Sequence, residues 1–131
     1  MTAATNKAVA STWIEAVLNR GDISAADNIL SPDIQFHHPL VDLNGVDAMK
    51  QFVGSVRAAF PDIKFHVADY IVEGDRVAAR WSLEGSQTRE FRGKAPTNKK
   101  VSLPGITIMN LEDGKINEIW VAFDPAPLVS S

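Results

Sequence analysis

The stretch from Val101 to Asp124, VSLPGITIMNLEDGKINEIWVAFD, decides the fold class. Two apolar runs, residues 101–111 and 116–124, flank the triplet Glu112-Asp113-Gly114. An Asp-Gly pair between two such runs is typical of a β-hairpin. The stretch therefore predicts two long antiparallel strands close to the end of the sequence.

The residues before this hairpin continue the two-residue period. Residues 63–67 and 77–83 alternate between side chains for a buried face and side chains for the opposite face. The triplet Glu73-Gly74-Asp75 lies between the two runs and predicts a turn. The polar stretch from Gly85 to Lys100 predicts a strand end followed by a long loop. The four strands together form an antiparallel meander.

The first half of the chain has helical periodicity. Apolar residues at helical spacing predict a first helix over residues 5–20, with Gly21 as its stop. The clearest helix covers residues 46–60, where one apolar stripe continues until Pro61. Both predicted helices have an apolar face that must be buried, and the predicted antiparallel sheet can cover it.

A shorter helix and a strand lie between these two helices. Ser24-Ala25-Ala26-Asp27 resembles a capping box and predicts a helix that begins near Ser24 and ends at Pro32. Residues 34–38 predict a short strand, which Pro39 limits.

Helices segregated to one side of an antiparallel sheet describe an α+β fold. We expect residues 1–131 to form a single domain, a cone-shaped α+β barrel with three N-terminal helices packed on a strongly curved antiparallel sheet. Such a sheet leaves an apolar cavity beneath the helices, and cavities of this kind bind small molecules.

Composition narrows the classes of partner. Of the 131 residues, 45% are hydrophobic and 22% charged, as in ordinary globular domains. The net charge of −3 gives no basic surface for nucleic acid or anionic membranes. Cysteine is absent from the sequence, which removes disulfides and thiolate chemistry. The sequence shows neither a membrane-spanning run nor a signal-peptide pattern, so we predict a cytoplasmic protein.

Several short pieces spread over nearly the whole chain carry a family resemblance. They are Phe36-His37-His38-Pro39, Asn44-Gly45-Val46, Ala59-Phe60-Pro61-Asp62, Glu73–Trp81, Pro96-Thr97, Asp113–Trp120 and Asp124. In these pieces the chain resembles the nuclear-transport-factor-2-like superfamily and, within it, the SnoaL-like polyketide cyclases. The resemblance implies an enzyme that closes a ring by an intramolecular aldol reaction without metal or cofactor.

The same resemblance implies which residues act. The acid at the end of the last strand corresponds to Asp124, and the histidine two residues before the proline corresponds to His37. Family members often carry Gly-Thr-His-Thr-Gly after the Arg-Trp strand, whereas this chain has Gly85-Ser86-Gln87-Thr88-Arg89. Gln87 therefore replaces an ionisable histidine and is expected to contact substrate.

The last strand presents two different faces. Glu118, Trp120, Ala122 and Asp124 share one face. If that mixed face is the cavity floor, loss of water raises the pKa of Asp124 into a range useful for proton transfer. The alternative is that Asp124 ends the strand and faces water.

The opposite face of the same strand is purely apolar. It carries Ile119, Val121 and Phe123, and we expect Thr107 and Met109 of the neighbouring strand beside them. Such a face is too apolar for open solvent if helices cover only the other side. The sequence therefore predicts a homodimer packed sheet to sheet.

His37 and His38 are adjacent, so only one of them can enter a cavity from a strand. We favour His37, and we expect His66 to lie on the solvent or interface face. Arg80 is expected to pair with Glu118 or with a substrate anion. The predicted substrate contacts are Trp120, Glu118, Gln87, Arg80, Trp13 and Phe52.

Other kinds of site lack support in the sequence. No His-x-x-x-His or Glu-x-x-His spacing suggests a metal site, and neither a nucleophile elbow nor a glycine-rich phosphate loop occurs. We predict a cofactor-independent cyclase or isomerase for a hydrophobic, polyketide-like carbonyl compound. Asp124 would move the proton and His37 would stabilise the enolate.

Two alternatives stay open. One is an epoxide hydrolase or dehydratase in the same cavity, which would hold a water with Asp124, Glu118, Arg80 and Gln87. The other is a small-ligand binding domain without catalysis.

Overall fold

Helices occupy the start of the chain, the segment after the second strand and a short segment after the last strand. The structure is a computed structural model that describes residues 2–129. Its helices are α1 (Ala3–Thr12), a π-helical continuation (Trp13–Asn19), a 3-10 turn (Ile23–Ala25), α2 (Ala26–Ile29), α3 (Val46–Ala59) and α4 (Ala126–Val129). No helix among the described residues is long and apolar enough to cross a bilayer.

Among the described residues, six strands form one curved sheet that does not close. They are β1 (Leu30–His37), β2 (Asp42–Asn44), β3 (Lys64–Glu73), β4 (Arg76–Ser86), β5 (Lys100–Glu112) and β6 (Lys115–Ala122), in the order β2-β1-β6-β5-β4-β3. The α+β class is confirmed. The sheet is mixed rather than wholly antiparallel, because β1 pairs in parallel with β6.

The helix α3 matches its predicted span to within one residue. Met49, Val53 and Ala59 are buried along one side of α3, so the helix packs through its apolar stripe. The two predicted turns are also present. Asp113 and Gly114 both have positive φ, at 52° and 79°, as a two-residue hairpin turn requires.

The predicted second helix differs from the observed one. Ser24 does not cap it, because its hydroxyl donates to Asp22 Oδ1 at 2.7 Å. The helix α2 ends at Ile29, and Pro32 lies inside β1. The pairing of β1 with β6 shifts between Leu30 and Gln35, and such an irregularity tolerates a residue without a backbone N–H.

The first helix follows its predicted span but widens into a π-helix in its second half. Trp13, Ile14 and Val17 are buried there. At its end, the Asn19 side chain accepts from the Phe65 N–H at 2.7 Å and donates to the Phe65 carbonyl at 2.9 Å. This two-way bond holds the end of the helix to the edge strand β3 and positions the wall of the cavity described below.

Candidate active site

An apolar cavity lies between the helices and the inner face of the sheet. It contains about 80 Å³ of space into which the centre of a water molecule fits, several times the room for one water. Eight aromatic side chains of the described residues line it: Trp13, Phe36, Phe52, Phe60, Phe65, Trp81, Phe91 and Phe123. In the same part of the chain, the polar side chains of its wall, indoles aside, are those of His38, Arg57 and Thr107. The cavity therefore suits an apolar guest with few polar groups.

The strand β6 turns its purely apolar face inward. Ile119 is fully buried, and Val121 and Phe123 line the cavity, while Trp120 points outward and is 36% exposed. The predicted assignment of the two faces is therefore wrong. Burying the wholly apolar face removes more apolar surface from water than burying a face that carries carboxylates.

The neighbouring strand β5 follows the same rule. Thr107 and Met109 are buried inside the fold rather than exposed on the outer face. The apolar side chains on which the predicted sheet-to-sheet dimer relied therefore lie inside the fold. They no longer support that prediction.

Asp124 lies outside the cavity. It is exposed, and its Oδ1 accepts the Ala126 N–H at 3.0 Å at the start of α4. The predicted burial of this carboxyl is wrong, because the mixed face that carries it is the outer one. A role for Asp124 in the chemistry stays a prediction.

His37 also faces outward, where it bridges two carboxylates. Its Nδ1 lies 2.8 Å from Asp42 Oδ1 and its Nε2 lies 2.7 Å from Glu118 Oε2. Both ring nitrogens donate only in the charged imidazolium. The hydrogen bond to Glu118 is the main cause that raises the pKa of His37, and Asp42 adds to it. The ring stacks on Trp120, with 5.9 Å between ring centroids.

Three of the predicted site residues, His37, Glu118 and Trp120, are thus brought together, but on the outer face. The shallow depression beside them is lined by His37, His38, Pro39, Val41, Asp42, Trp120 and Val121. Because it is open to solvent, it does not remove a reacting group from water as the inner cavity does.

His38 is the histidine that lines the inner cavity. Its ring stacks on Phe36 at 5.5 Å between centroids and meets the edges of Phe52 at 5.0 Å and Phe123 at 5.1 Å. Burial lowers its pKa to about 4, and the positive charge of Arg92 contributes. The ring is therefore neutral at neutral pH.

The tautomer of His38 follows from one backbone contact. The Leu40 N–H donates to Nδ1 at 3.1 Å, so Nδ1 is the acceptor and the proton of the neutral ring sits on Nε2. Within residues 2–129, Nε2 has no hydrogen-bond partner. A neutral N–H donor inside an aromatic cage is thus left available to a guest molecule.

Sequence reasoning preferred His37 to His38, although a usable signal existed. Phe36 and His38 are two residues apart, and such residues share a face of a strand. Phe36 is apolar and is expected to be buried. His38 lies on the same face of the strand, so it is expected to point inward as well. His66 faces outward as predicted and lies 3.1 Å from Glu84.

Two other predicted contacts have structural roles. Gln87 is buried, and its amide donates to the carbonyls of Arg89, Lys94 and Ala95 at 3.1–3.3 Å, which fixes the loop after β4. Arg80 is exposed and pairs with Asp69 at 3.1 and 3.2 Å rather than with Glu118.

The structure places Trp13 and Phe52 in the cavity wall, where we expected substrate contacts. Thr107, which the sequence assigned to the outer face, accepts the indole N–H of Trp81 at 2.9 Å. This bond holds the Trp81 ring against the sheet as part of the cavity floor. In the described part of the chain, no three His, Asp or Glu side chains are placed to hold a metal ion.

Comparisons with known proteins agree with this architecture. The sequence model of the family described as SnoaL-like polyketide cyclase matches residues 8–130. AclR of Streptomyces galilaeus, described as a candidate hydroxylase, is 30% identical, with 98% of this chain and 95% of that chain covered and a TM-score of 0.83. A search of curated proteins gave no significant match.

Two further solved structures share the fold. TsrD of Streptomyces laurentii is 25% identical over 98% of this chain and 94% of its own, with a TM-score of 0.86. A candidate SnoaL-like polyketide cyclase from Jannaschia sp. CCS1 is 22% identical over 97% of this chain and 90% of its own, with a TM-score of 0.89.

Proposed function

The chain belongs to the SnoaL-like polyketide cyclase family, and on that premise we propose that it is a cofactor-independent cyclase for hydrophobic, polyketide-like carbonyl compounds. The observation that supports this most is the neutral His38 side chain in an aromatic-lined cavity. The proposal differs from the sequence-based one in the histidine that acts, since His37 lies on the outer face.

His38 would donate its Nε2–H to the carbonyl oxygen on which negative charge develops. Donors aimed at such an oxygen stabilise transition states most strongly where water is excluded. A neutral imidazole is suited to this role, and triosephosphate isomerase uses one in the same way. Because its pKa is lowered to about 4, the His38 ring is neutral at neutral pH and donates through its single N–H.

The proposed reaction is an intramolecular aldol closure. A base removes the proton from a carbon next to one carbonyl, and the resulting enolate carbon attacks a second carbonyl of the same molecule. One C–C bond forms, and the attacked oxygen takes up a proton to become a hydroxyl. Atoms and charge balance without redox chemistry, so the reaction requires no cofactor.

We propose Asp124 as the proton acceptor, as the family resemblance implies. Its carboxylate lies outside the cavity, so the support is the resemblance together with its place in the chain, directly after Phe123, whose ring contacts His38. The aromatic walls would hold a flat guest with its two reacting carbons close together, and such orientation alone accounts for much of the acceleration of intramolecular reactions.

Ligand binding without turnover is the second candidate function. One observation favours it: no Asp or Glu side chain that could act as a base is among the described residues that line the cavity. The hydrolase alternative has less support, because Asp124, Glu118, Arg80 and Gln87 do not converge on the cavity.

The test is turnover of aromatic β-keto esters that carry a ketone within reach of ring closure, followed by mass spectrometry and absorbance. We expect His38→Phe, which preserves the ring packing but lacks the N–H, to lower kcat by about 10²–10³-fold. His38→Gln, which retains a donor, should lose less. His66→Gln is the matched control on the outer face and should keep full turnover.

The same assay decides the role of Asp124. Asp124→Asn should abolish turnover while substrate still binds; full activity in this variant would remove Asp124 from the mechanism. Unchanged turnover in His38→Phe would overturn the proposed site. Compounds that bind to the wild type without any conversion would favour the binding function.

A further inference from the structure

Arg57 is the one charged side chain among the described residues that line the cavity. It lies in the last turn of α3 and is half-buried. Neither the aldol chemistry nor the sequence analysis gives it a role.

Three contacts fix the guanidinium in place. Its Nη1 donates to the Leu18 carbonyl at 2.6 Å and to the Asn19 carbonyl at 3.0 Å, at the end of the π-helical segment. Gly21, with φ of +72°, packs against the same group: a Cβ at that position would lie 2.6 Å from Arg57 Nε. The backbone therefore leaves space for this head group and holds it through a single nitrogen.

The remaining donors of Arg57 are uncommitted in the part of the chain that the structure describes. Nε and Nη2 have no acceptor there, and no carboxylate lies within 4.0 Å of the guanidinium. By contrast, Arg80 on the outer face binds Asp69 through two nitrogens. A cation without a counter-ion at the wall of an apolar cavity is arranged to receive an anion.

We propose that Arg57 forms a carboxylate subsite and that the cavity takes a largely apolar carbonyl compound bearing a free acid. This inference rests on the proposed function only in taking the cavity as the ligand site. Phe52, which contacts His38, and Arg57 are five residues apart on α3, about 7.5 Å along the helix axis. The two polar groups would hold separate parts of one molecule, with the aromatic walls around its apolar body.

The test compares 2-naphthoate with 2-naphthamide, which have the same shape and differ in charge, by calorimetry and ligand-observed NMR at neutral pH. In the wild type we expect the acid to bind at least about tenfold more tightly than the amide. Arg57→Gln should bring this ratio to within about twofold of unity, by weakening only the acid. Arg57→Lys should retain part of the preference.

Controls separate this inference from general charge effects and from the catalytic proposal. Arg76→Gln removes one positive charge from an exposed position and should keep the wild-type ratio. His38→Phe should still bind the acid more tightly than the amide, even where turnover is lost. Equal affinities for acid and amide in the wild type, no binding of the acid at millimolar concentration, or an unchanged ratio in a folded Arg57→Gln protein would each overturn the proposal.

Discussion

Two adjacent histidines have opposite electrostatic environments. His38 loses water to an aromatic cage, and its pKa falls to about 4. His37, one residue earlier, gains two carboxylate partners, and its pKa rises, mainly through Glu118. The alternation of a β-strand thus lowers the pKa of one imidazole and raises the pKa of its neighbour.

The pKa of His38 leads to a prediction about stability. In the unfolded chain His38 takes up a proton at its usual pKa of 6.5, whereas in the folded chain its pKa is about 4. The contribution of neutral His38 to the free energy of unfolding is therefore fully present above pH 6.5, and it is lost as the pH falls from 6.5 towards 4. This histidine should lower the free energy of unfolding by roughly 2–3 kcal/mol between pH 8 and pH 4.5.

Urea unfolding of the wild type and of His38→Phe at both pH values measures this contribution. The variant should lose less stability on acidification, by about the stated amount. His37 contributes in the opposite direction, with stability that is lost as the pH rises through its raised pKa, and it is present in both proteins. Equal losses in the two proteins would contradict the buried neutral position of His38.

Of the residues predicted for the site, Trp13 and Phe52 line the cavity, whereas five others lie outside it: His37, Arg80, Glu118, Trp120 and Asp124. The apolar alternation in β6 and the pair Phe36 and His38 contained the information, because apolar burial decides which face turns inward. The prediction that Asp124 lies in the cavity relied on its expected catalytic role. It did not take into account that the apolar side chains of Ile119, Val121 and Phe123 require burial. The role of Arg57 depends on a contact with the π-helical segment, which is distant in sequence and has no local signature.

Among the elements, the pairing of β4 with β5 shapes the cavity floor. Gly105 lies opposite Trp81, and a Cβ at Gly105 would collide with the Trp81 ring. The missing side chain therefore allows the indole to lie across β5 and reach Thr107.

Gly105→Ala should push the indole out of this position. We expect a loss of about 1–3 kcal/mol in unfolding free energy and weaker binding of 2-naphthamide. Gly54→Ala is the matched control, because no atom lies within 4 Å of a Cβ there and its site is an exposed position of α3. That change should be neutral or stabilising. A Gly105→Ala protein as stable as the wild type would show that the floor can rearrange at no cost.

Elements with strong local periodicity were predictable, and elements set by distant partners were not. The span of α3 and the two turns at Glu73–Asp75 and Glu112–Gly114 follow from spacing and turn chemistry. The strand β2 has three residues, and the parallel pairing of β1 with β6 joins segments some 80 positions apart. Neither the short strand β2 nor this long-range pairing produces a periodic pattern in the local sequence.

The outer face of the sheet exposes more apolar side chains than a surface in contact with water favours. Ile71, Ile106, Ile108 and Trp120 are 36–65% exposed on that face. Ile108 and Trp120 are cross-strand partners, and Ile106 pairs with Ala122 beside them. We propose that a second copy of the chain covers this surface, so the homodimer stays a prediction with different residues in support.

Trp120→Lys or Ile108→Lys should convert a dimer to a monomer, since a charge would be buried at the interface. Sedimentation at tens of micromolar measures this. Ser55→Lys, on an exposed position of α3, should leave the assembly unchanged. A monomeric wild type at that concentration would contradict the proposed dimer.

We propose that a neutral His38, protonated at Nε2, contacts the ligand inside the cavity. Nitrogen-15 NMR of the three histidine rings at pH 7, with and without 2-naphthamide, measures this contact. We expect an Nε2–H tautomer for His38 whose Nε2 shift changes on binding, and no response from His37. A charged or Nδ1-protonated His38, or a response confined to His37, would rule out His38 as the donor.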